Sequence, residues 1–222
     1  MSISPLSQTR VASGVINLSS GSITANWTNP LFAKLPDADD ATVADGDFDA
    51  GGHRSSWLIA TDFKFDWPTG ANVFITGLMM HIVHYNPESD LVNSTGTPQV
   101  YSTSVRIVKN NNIQFGLNPI IGLNGVWPSS QFSAGFHQGL VYPFAGDDMF
   151  WNLGSGWQYT DVNASGFGWA LQVSGYRVLA EWPSPKVNFF SGMIFGYEQL
   201  ADVLAPVLYY QVGTLLLATS GT

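Results

Sequence analysis

The clearest pattern along the chain is an alternation of large apolar residues with small or polar residues over residues 167–174. The four large apolar residues at every second position are Phe167, Trp169, Leu171 and Val173. A period of two residues is typical of a β-strand with one buried face. Residues 101–109 follow the same rule, because Val105 and Ile107 alternate with Ser104 and Arg106. We therefore predict strands at both places.

Residues 73–85 differ, because apolar side chains occupy both registers of the alternation. A strand with two apolar faces is buried on both sides. We expect this strand to be central, with a second sheet covering one face and a neighbouring subunit covering the other. Further strands are predicted at residues 56–65, 177–181, 187–195 and 206–212.

Turn-forming residues separate these segments throughout the chain, which has 23 glycines and 12 prolines and lacks helical periodicity. Many short strands joined by such turns are typical of sandwiches and barrels. The sequence therefore predicts an all-β fold, an antiparallel β-sandwich of jelly-roll type.

The first 24 residues are rich in serine and carry one charged side chain, Arg10. They predict an extended N-terminal arm (residues 1–24) that orders on contact with a partner. No stretch rich in glycine, serine or proline divides the remainder, so residues 25–222 are predicted to form a single β-sandwich domain.

Charge is scarce: charged residues make up 11% of the 222 residues, against 45% hydrophobic residues, and the net charge is −8. An apolar composition excludes intrinsic disorder, and a surface poor in charge indicates contact with other chains. The eight basic residues are scattered, which argues against nucleic acid as a partner. The absence of cysteine excludes disulfides and thiolate zinc sites. We also expect no export signal and no membrane insertion, because the apolar runs are short.

An acidic segment over residues 34–54 places Asp45, Asp47 and Asp49 at alternate positions, as calcium-binding loops do. The EF-hand pattern fails, because the glycine comes one position late and Ser56 stands where glutamate is required. The sequence favours a solvated acidic loop, with a structural calcium site as the alternative.

No catalytic, cofactor-binding or metal-ligating residue is predicted. His81 and His84 are separated by an odd number of positions in a predicted strand, so they face opposite sides and cannot share a metal. No G-x-S-x-G nucleophile elbow is present. Acids do stand beside tryptophans at Asp147, Asp148 and Glu181, as in glycosidase sites. We favour sugar binding by stacked tryptophans over cleavage, and expect that the protein is not an enzyme.

Six short motifs, in this order, resemble those of an uncharacterised family of tailed-bacteriophage and prophage virion structural proteins. They are N-W-T-N-P at residues 26–30, A-D-D-A-T-V-A at 38–44, S-W-L-I-A-T-D-F-K-F-D-W-P-T-G-A-N-V-F-I-T-G-L at 56–78, V-R-I-V-K-N at 105–110, D-D-M-F-W-N-L-G-S-G-W-Q-Y-T-D-V-N-A-S-G-F-G-W-A-L at 147–171 and Y-E-Q-L-A-D-V-L-A-P-V-L-Y-Y at 197–210. The chain departs from the family pattern at Asn152, which replaces a glycine, and at the inserted Gln158 and Tyr159.

The resemblance implies a virion location after synthesis in the host cytoplasm, and a role as a capsid decoration or head-surface protein. The implied partners are the major capsid protein or other virion proteins, together with further copies of the chain, which we expect to be a homotrimer by analogy. The alternative is a carbohydrate-binding receptor module of a tail or head fibre that contacts a host surface glycan. Its stacking platforms are expected to be some of the four tryptophans Trp127, Trp151, Trp157 and Trp182.

Overall fold

The strands of the described residues form two β-sheets, in which every strand pair is antiparallel. The computed structural model describes residues 2–18, 25–35, 39–43, 54–87, 99–114, 127, 140–142, 157–176 and 183–200. Large apolar side chains from both sheets meet in one core, so the molecule is the all-β sandwich that the alternating pattern predicts. The jelly-roll type stays a prediction.

The first sheet has the strand order β3-β4-β11-β6-β9, and β1 pairs with β11 beside this path. Its strands are β1 (Ser2–Val11), β3 (Trp27–Thr28), β4 (Ala41–Val43), β6 (Val73–Tyr85), β9 (Leu140–Tyr142) and β11 (Lys186–Leu200). The second sheet has the order β2-β5-β10-β7-β8. Its strands are β2 (Gly14–Leu18), β5 (Trp57–Thr61), β7 (Gln99–Lys109), β8 (Asn112–Ile113) and β10 (Gly168–Tyr176).

Helical structure in the described residues is limited to a 3-10 helix at Pro30–Lys34 and a single α-helical turn, α1, at Tyr159–Val162. The 3-10 helix packs against β2, β4 and β11, so it bridges the two sheets at one side of the sandwich. None of the described helices has the length and apolar character needed to cross a membrane.

The strands predicted at residues 73–85, 101–109 and 167–174 are confirmed as β6, β7 and β10. β6 lies between β11 and β9, as expected of a central strand, and it is buried in both registers over Ile82, Val83, His84 and Tyr85. The strand predicted at residues 187–195 is part of β11. Those predicted at residues 177–181 and 206–212 lie outside the described residues.

The predicted strand at residues 56–65 is shorter in the structure, where β5 ends at Thr61. Asp62 and Lys64 adopt left-handed backbone conformations, with φ of 57° and 54°, which interrupt the regular ladder. The side chains of Phe63, Phe65 and Trp67 nevertheless remain buried in the core. The apolar alternation therefore continues through a segment that is not a strand.

The segment predicted as an arm contributes one strand to each sheet of its own chain. β1 pairs with β11, from Ser2 opposite Leu200 to Val11 opposite Ser191, and β2 pairs with β5. Up to residue 18 the segment is thus built into the sandwich and does not extend from it. The sequence does not predict β1 as a strand, because the segment is rich in serine and contains Pro5. Proline is tolerated in strands at sheet edges, and β1 is such a strand.

The centre of the core is an aromatic cluster around Trp169, which is fully buried. The Trp169 ring centroid lies 4.8 Å from that of Phe63, 5.1 Å from that of Phe167 and 6.5 Å from that of Phe65. On the facing strand, Gly192 leaves room for the indole, because a Cβ there would lie 2.2 Å from the ring. A large residue on one sheet is thus matched by a small residue on the other.

Candidate functional site

All six acids singled out from the sequence lie outside the described residues. This applies to the proposed calcium ligands Asp45, Asp47 and Asp49 and to the acids beside tryptophans, Asp147, Asp148 and Glu181. The calcium alternative therefore stays a prediction. Within the described ranges, no three His, Asp or Glu side chains come close enough to hold a metal ion.

His81 and His84 both lie in the strand β6, as the sequence predicts. The His84 side chain is buried, and its Nδ1 lies 3.3 Å from the carbonyl oxygen of Ile82. Its ring centroid is 4.2 Å from that of Trp127. His84 is therefore a packed histidine in the interior of the sandwich.

The four candidate tryptophans have different positions. Trp127 is only 2% exposed, so it cannot act as a platform for an external sugar, and this part of the hypothesis is wrong. Trp157 is half-buried and lines an open cleft. Trp151 and Trp182 lie outside the described residues.

The cleft beside Trp157 has a volume of about 550 Å³, and we call it the aromatic cleft. It is lined by Gly70, Ala71, Val73, Phe74, Ile75, Trp157, Gln158 and Tyr159. One wall is the start of β6, and the other wall is the chain that enters α1. The cleft thus joins two segments that are more than eighty residues apart in the sequence.

The first wall begins with a turn in which the Val73 amide donates a hydrogen bond to the carbonyl of Gly70, at 3.3 Å. The sequence suggests such a turn, because proline and glycine precede the long strand. Phe74 follows and stacks on Tyr197 of β11, with ring centroids 5.1 Å apart and planes inclined by 26°. Phe74 is still 39% exposed, so it presents aromatic surface to the cleft.

The second wall is held by charges and by an aromatic contact. The Trp157 ring meets that of Phe167 nearly edge-on at 6.0 Å, and Lys109 Nζ lies 5.0 Å from the Trp157 ring centroid. Lys109 also forms an ion pair with Asp161 at 2.9 Å. The Asp161 carboxylate accepts a hydrogen bond from the backbone N–H of Gln158 at 3.1 Å, at the beginning of α1. These contacts fix Trp157 against the core.

Asn163 links the second wall to the segment that follows β5. Its Oδ1 accepts a hydrogen bond from the Trp67 amide at 2.7 Å, and its Nδ2 donates one to the Trp67 carbonyl at 2.9 Å. Asparagine side chains commonly bond to the backbone of their own loop, but the partner of Asn163 is Trp67, in the segment that follows β5. The paired bonds connect positions 96 residues apart in the chain.

Replacing Asn163 by aspartate is expected to lower the free energy of unfolding by about 2 kcal/mol, because a carboxylate oxygen would face the Trp67 carbonyl without a proton to donate. Chemical denaturation followed by circular dichroism measures this loss. Asn112→Asp is the matched control, since the amide of Asn112 also donates to a backbone carbonyl but at an exposed site. Equal losses in the two variants would contradict a special role for the Asn163 pair.

A second surface stands out at the side of the sandwich that the 3-10 helix closes. Five large apolar side chains there are between 42% and 56% exposed, and we call this surface the uncharged edge: Ile16, Leu18, Leu31, Phe32 and Leu35. β2 is the terminal strand of the second sheet among the described strands. Residues 11–33 contain no Asp, Glu, Lys, Arg or His. The five side chains are therefore uncharged, and Lys34, the last residue of the 3-10 helix, is the single charged residue between positions 11 and 35.

A small apolar cluster lies outside the main core, on the second sheet, and consists of Trp57, Ile59, Val108 and Ala170, with Ile113 packed against it. Arg106 stands opposite Ala170 in the β7–β10 pair. Within the described part of the chain, its Nε and Nη1 are buried without a hydrogen-bond partner. Burial lowers the pKa of Arg106. Arginine nevertheless stays protonated in proteins, so a positive charge adjoins this cluster.

In comparison with known proteins, the chain matches no family model, no curated protein and no solved structure. The resemblance to phage virion proteins thus rests on the sequence motifs alone.

Proposed function

We propose that the protein is a structural component of a bacteriophage virion, a capsid decoration or head-surface protein that acts through protein–protein contacts and catalyses no reaction. The observation that carries this proposal is the uncharged edge. Exposed apolar surface of this kind marks sites of contact with other chains. The motif resemblance supplies the identity of the partners, the major capsid protein or other virion proteins.

Electrostatics favours this edge as the place of contact. The chain carries a net charge of −8, so two copies repel each other wherever carboxylates face one another. Residues 11–35 contain no carboxylate, and their one charged residue is Lys34, so carboxylates of these residues do not repel a second copy at the edge. In a ring of three copies the interfaces are head-to-tail, so the apolar edge of one copy would contact a different patch of the next copy. We propose a homotrimer as the assembled form.

We infer jelly-roll connectivity for the sandwich. Two sets of four neighbouring strands, β1-β11-β6-β9 and β5-β10-β7-β8, make up the larger part of the two sheets. Eight strands in two sheets, wound as Greek keys, define a jelly roll, and in that winding the last of the eight strands returns to pair with the first. The pairing of β11 with β1 supports this connectivity.

Quantitative mass spectrometry of purified particles of the phage that encodes the chain tests the proposed role. We expect a copy number in the hundreds, comparable to that of the major capsid protein. A few copies would move the protein to the tail or a fibre. Absence from particles would refute a virion role.

Phe32→Glu tests the uncharged edge in the same experiment. The substitution places a carboxylate in the apolar surface, so we expect at least a tenfold loss of incorporation into particles and of self-association in light scattering. Phe74→Glu is the matched control, because Phe74 is 39% exposed against 42% for Phe32 but lies in the aromatic cleft. Equal behaviour of the two variants would contradict contact through this edge.

A second candidate function is the carbohydrate-binding receptor module. The observation that favours it is the position of Trp157, the one candidate platform in the described residues that borders open space. Both functions are compatible with one particle, since a head-surface protein can also present a glycan site.

A further inference from the structure

We propose that the aromatic cleft is a binding site for a neutral saccharide, with Phe74, Trp157 and Tyr159 as its contact surfaces. This inference rests on the second candidate function and narrows it to one site and one class of ligand. It is independent of the uncharged edge, which none of the cleft residues belongs to.

The size of the cleft suits a small ligand. Its volume of about 550 Å³ lies within the range of roughly 300–1,000 Å³ that is usual for such sites. The cleft is open, so a longer glycan can continue into solvent from a sugar seated between the walls. Phe74 and Tyr159 are 39% and 36% exposed, so both present accessible ring surface.

The charge of the cleft selects for a neutral ligand. None of the eight lining residues carries a charge at neutral pH. The adjoining charges, Lys109 and Asp161, neutralise one another in an ion pair 2.9 Å long. An anionic sugar would enter without a dedicated cation and would approach a protein with a net charge of −8. A cationic ligand would likewise find no unpaired carboxylate among the lining residues.

The mixture of side chains selects for a sugar over a purely apolar ligand. A pyranose ring has an apolar face of C–H groups and a rim of hydroxyls. Aromatic rings offer a flat apolar surface with a negative π face, which attracts such C–H groups. The second wall brings two hydrogen-bonding groups to the cleft, the Tyr159 hydroxyl and the side-chain amide of Gln158, which also caps the backbone of Asp161 at the start of α1. A lipid chain would leave the Tyr159 hydroxyl without a partner.

The rings are held in place before any ligand arrives. Phe74 stacks on Tyr197, and Trp157 is fixed between Phe167 and the Lys109 ammonium group. A preformed surface lowers the entropic cost of binding, because fewer side chains must be ordered. Gln158 and Tyr159, which are inserted relative to the motif of the resembling family, both line this cleft.

The test uses the full chain on a glycan array that displays neutral hexose, N-acetylhexosamine, sialylated and uronic-acid saccharides. Positives are confirmed by saturation-transfer NMR with the corresponding methyl glycosides. We expect saturable binding of neutral saccharides and at least a tenfold loss of affinity in Tyr159→Ala and in Phe74→Ala. Val11→Ala is the control, since Val11 is a large apolar residue that is 38% exposed and lies outside both the cleft and the uncharged edge, and it should bind as the unaltered chain does. Thermal melting verifies that each variant is folded.

Binding that is confined to anionic saccharides, or no saccharide binding at millimolar concentrations, would overturn the proposal. Saccharide binding that survives both cleft substitutions would place the site elsewhere and overturn it as well. These failures can be told apart from failure of the virion role. Particle incorporation that is lost in Phe32→Glu but kept in Tyr159→Ala would leave the structural role standing without the saccharide site.

Discussion

Replacing Trp169 by alanine is expected to lower the free energy of unfolding by about 3–5 kcal/mol, the largest single loss that the structure predicts. The side chain is fully buried, and three aromatic rings surround it. Removing the indole takes away these contacts and leaves a cavity between two sheets that cannot close over it. Urea denaturation followed by far-ultraviolet circular dichroism measures the loss.

Phe32→Ala serves as the control for Trp169→Ala, because Phe32 is 42% exposed and its truncation is expected to cost about 0.5 kcal/mol. A loss below about 1 kcal/mol for Trp169→Ala would mean that the indole does not organise the core. An unchanged slope of the unfolding free energy against urea concentration would further show that the variant unfolds from the same compact state.

Gly192→Ala is expected to cost about 3 kcal/mol, although it adds only one methyl group. A Cβ at this position would lie 2.2 Å and 2.3 Å from two carbon atoms of the Trp169 ring and 3.3 Å from Phe65. The clash lies across the sandwich, so either the indole or β11 must move. The same denaturation experiment measures the effect.

Gly70→Ala is the matched control, since a Cβ there would meet only a methyl group of Val73 at 3.5 Å, an ordinary contact. We expect it to be neutral, or slightly stabilising through the unfolded chain. Similar losses for Gly70→Ala and Gly192→Ala would attribute the effect to backbone preference and refute the steric explanation.

The double variant Trp169→Ala/Gly192→Ala isolates the interaction between the two positions. Once the indole is absent, the added methyl group has space, so Gly192→Ala should cost far less than it does alone. Such non-additivity is the signature of residues in direct contact. Additive losses would mean that the two residues destabilise the protein independently.

Sequence reasoning located the strands whose side chains alternate between a buried and a solvated register. β7 and β10 were predicted this way, and β6 was recognised as central because both of its registers are apolar. β1 was not recognised, because it is held by backbone pairing with β11 and shows no apolar alternation. Composition alone could not separate a serine-rich edge strand from an unpaired arm.

The aromatic cleft could be predicted only in part. Trp157 was a candidate platform from the sequence, but so was Trp127, and only burial distinguishes the half-exposed ring from the enclosed one. Phe74 had no functional signal, because an apolar residue in a central strand is expected to be buried. It lines the cleft because it lies near the beginning of β6, where the strand emerges beside the chain that enters α1.

The class of fold and the scarcity of charge follow from the pattern of residues along the chain. Period-two alternation, frequent turn residues and scarce charge are local properties, and each can be read without knowing which segments meet. The tertiary structure alone decided which strands pair, which glycine faces which indole, and which aromatic rings share a cleft. Those outcomes depend on contacts between residues far apart in the chain, such as Trp67 with Asn163 and Trp169 with Gly192. Such contacts arise only when both sheets close on a common core.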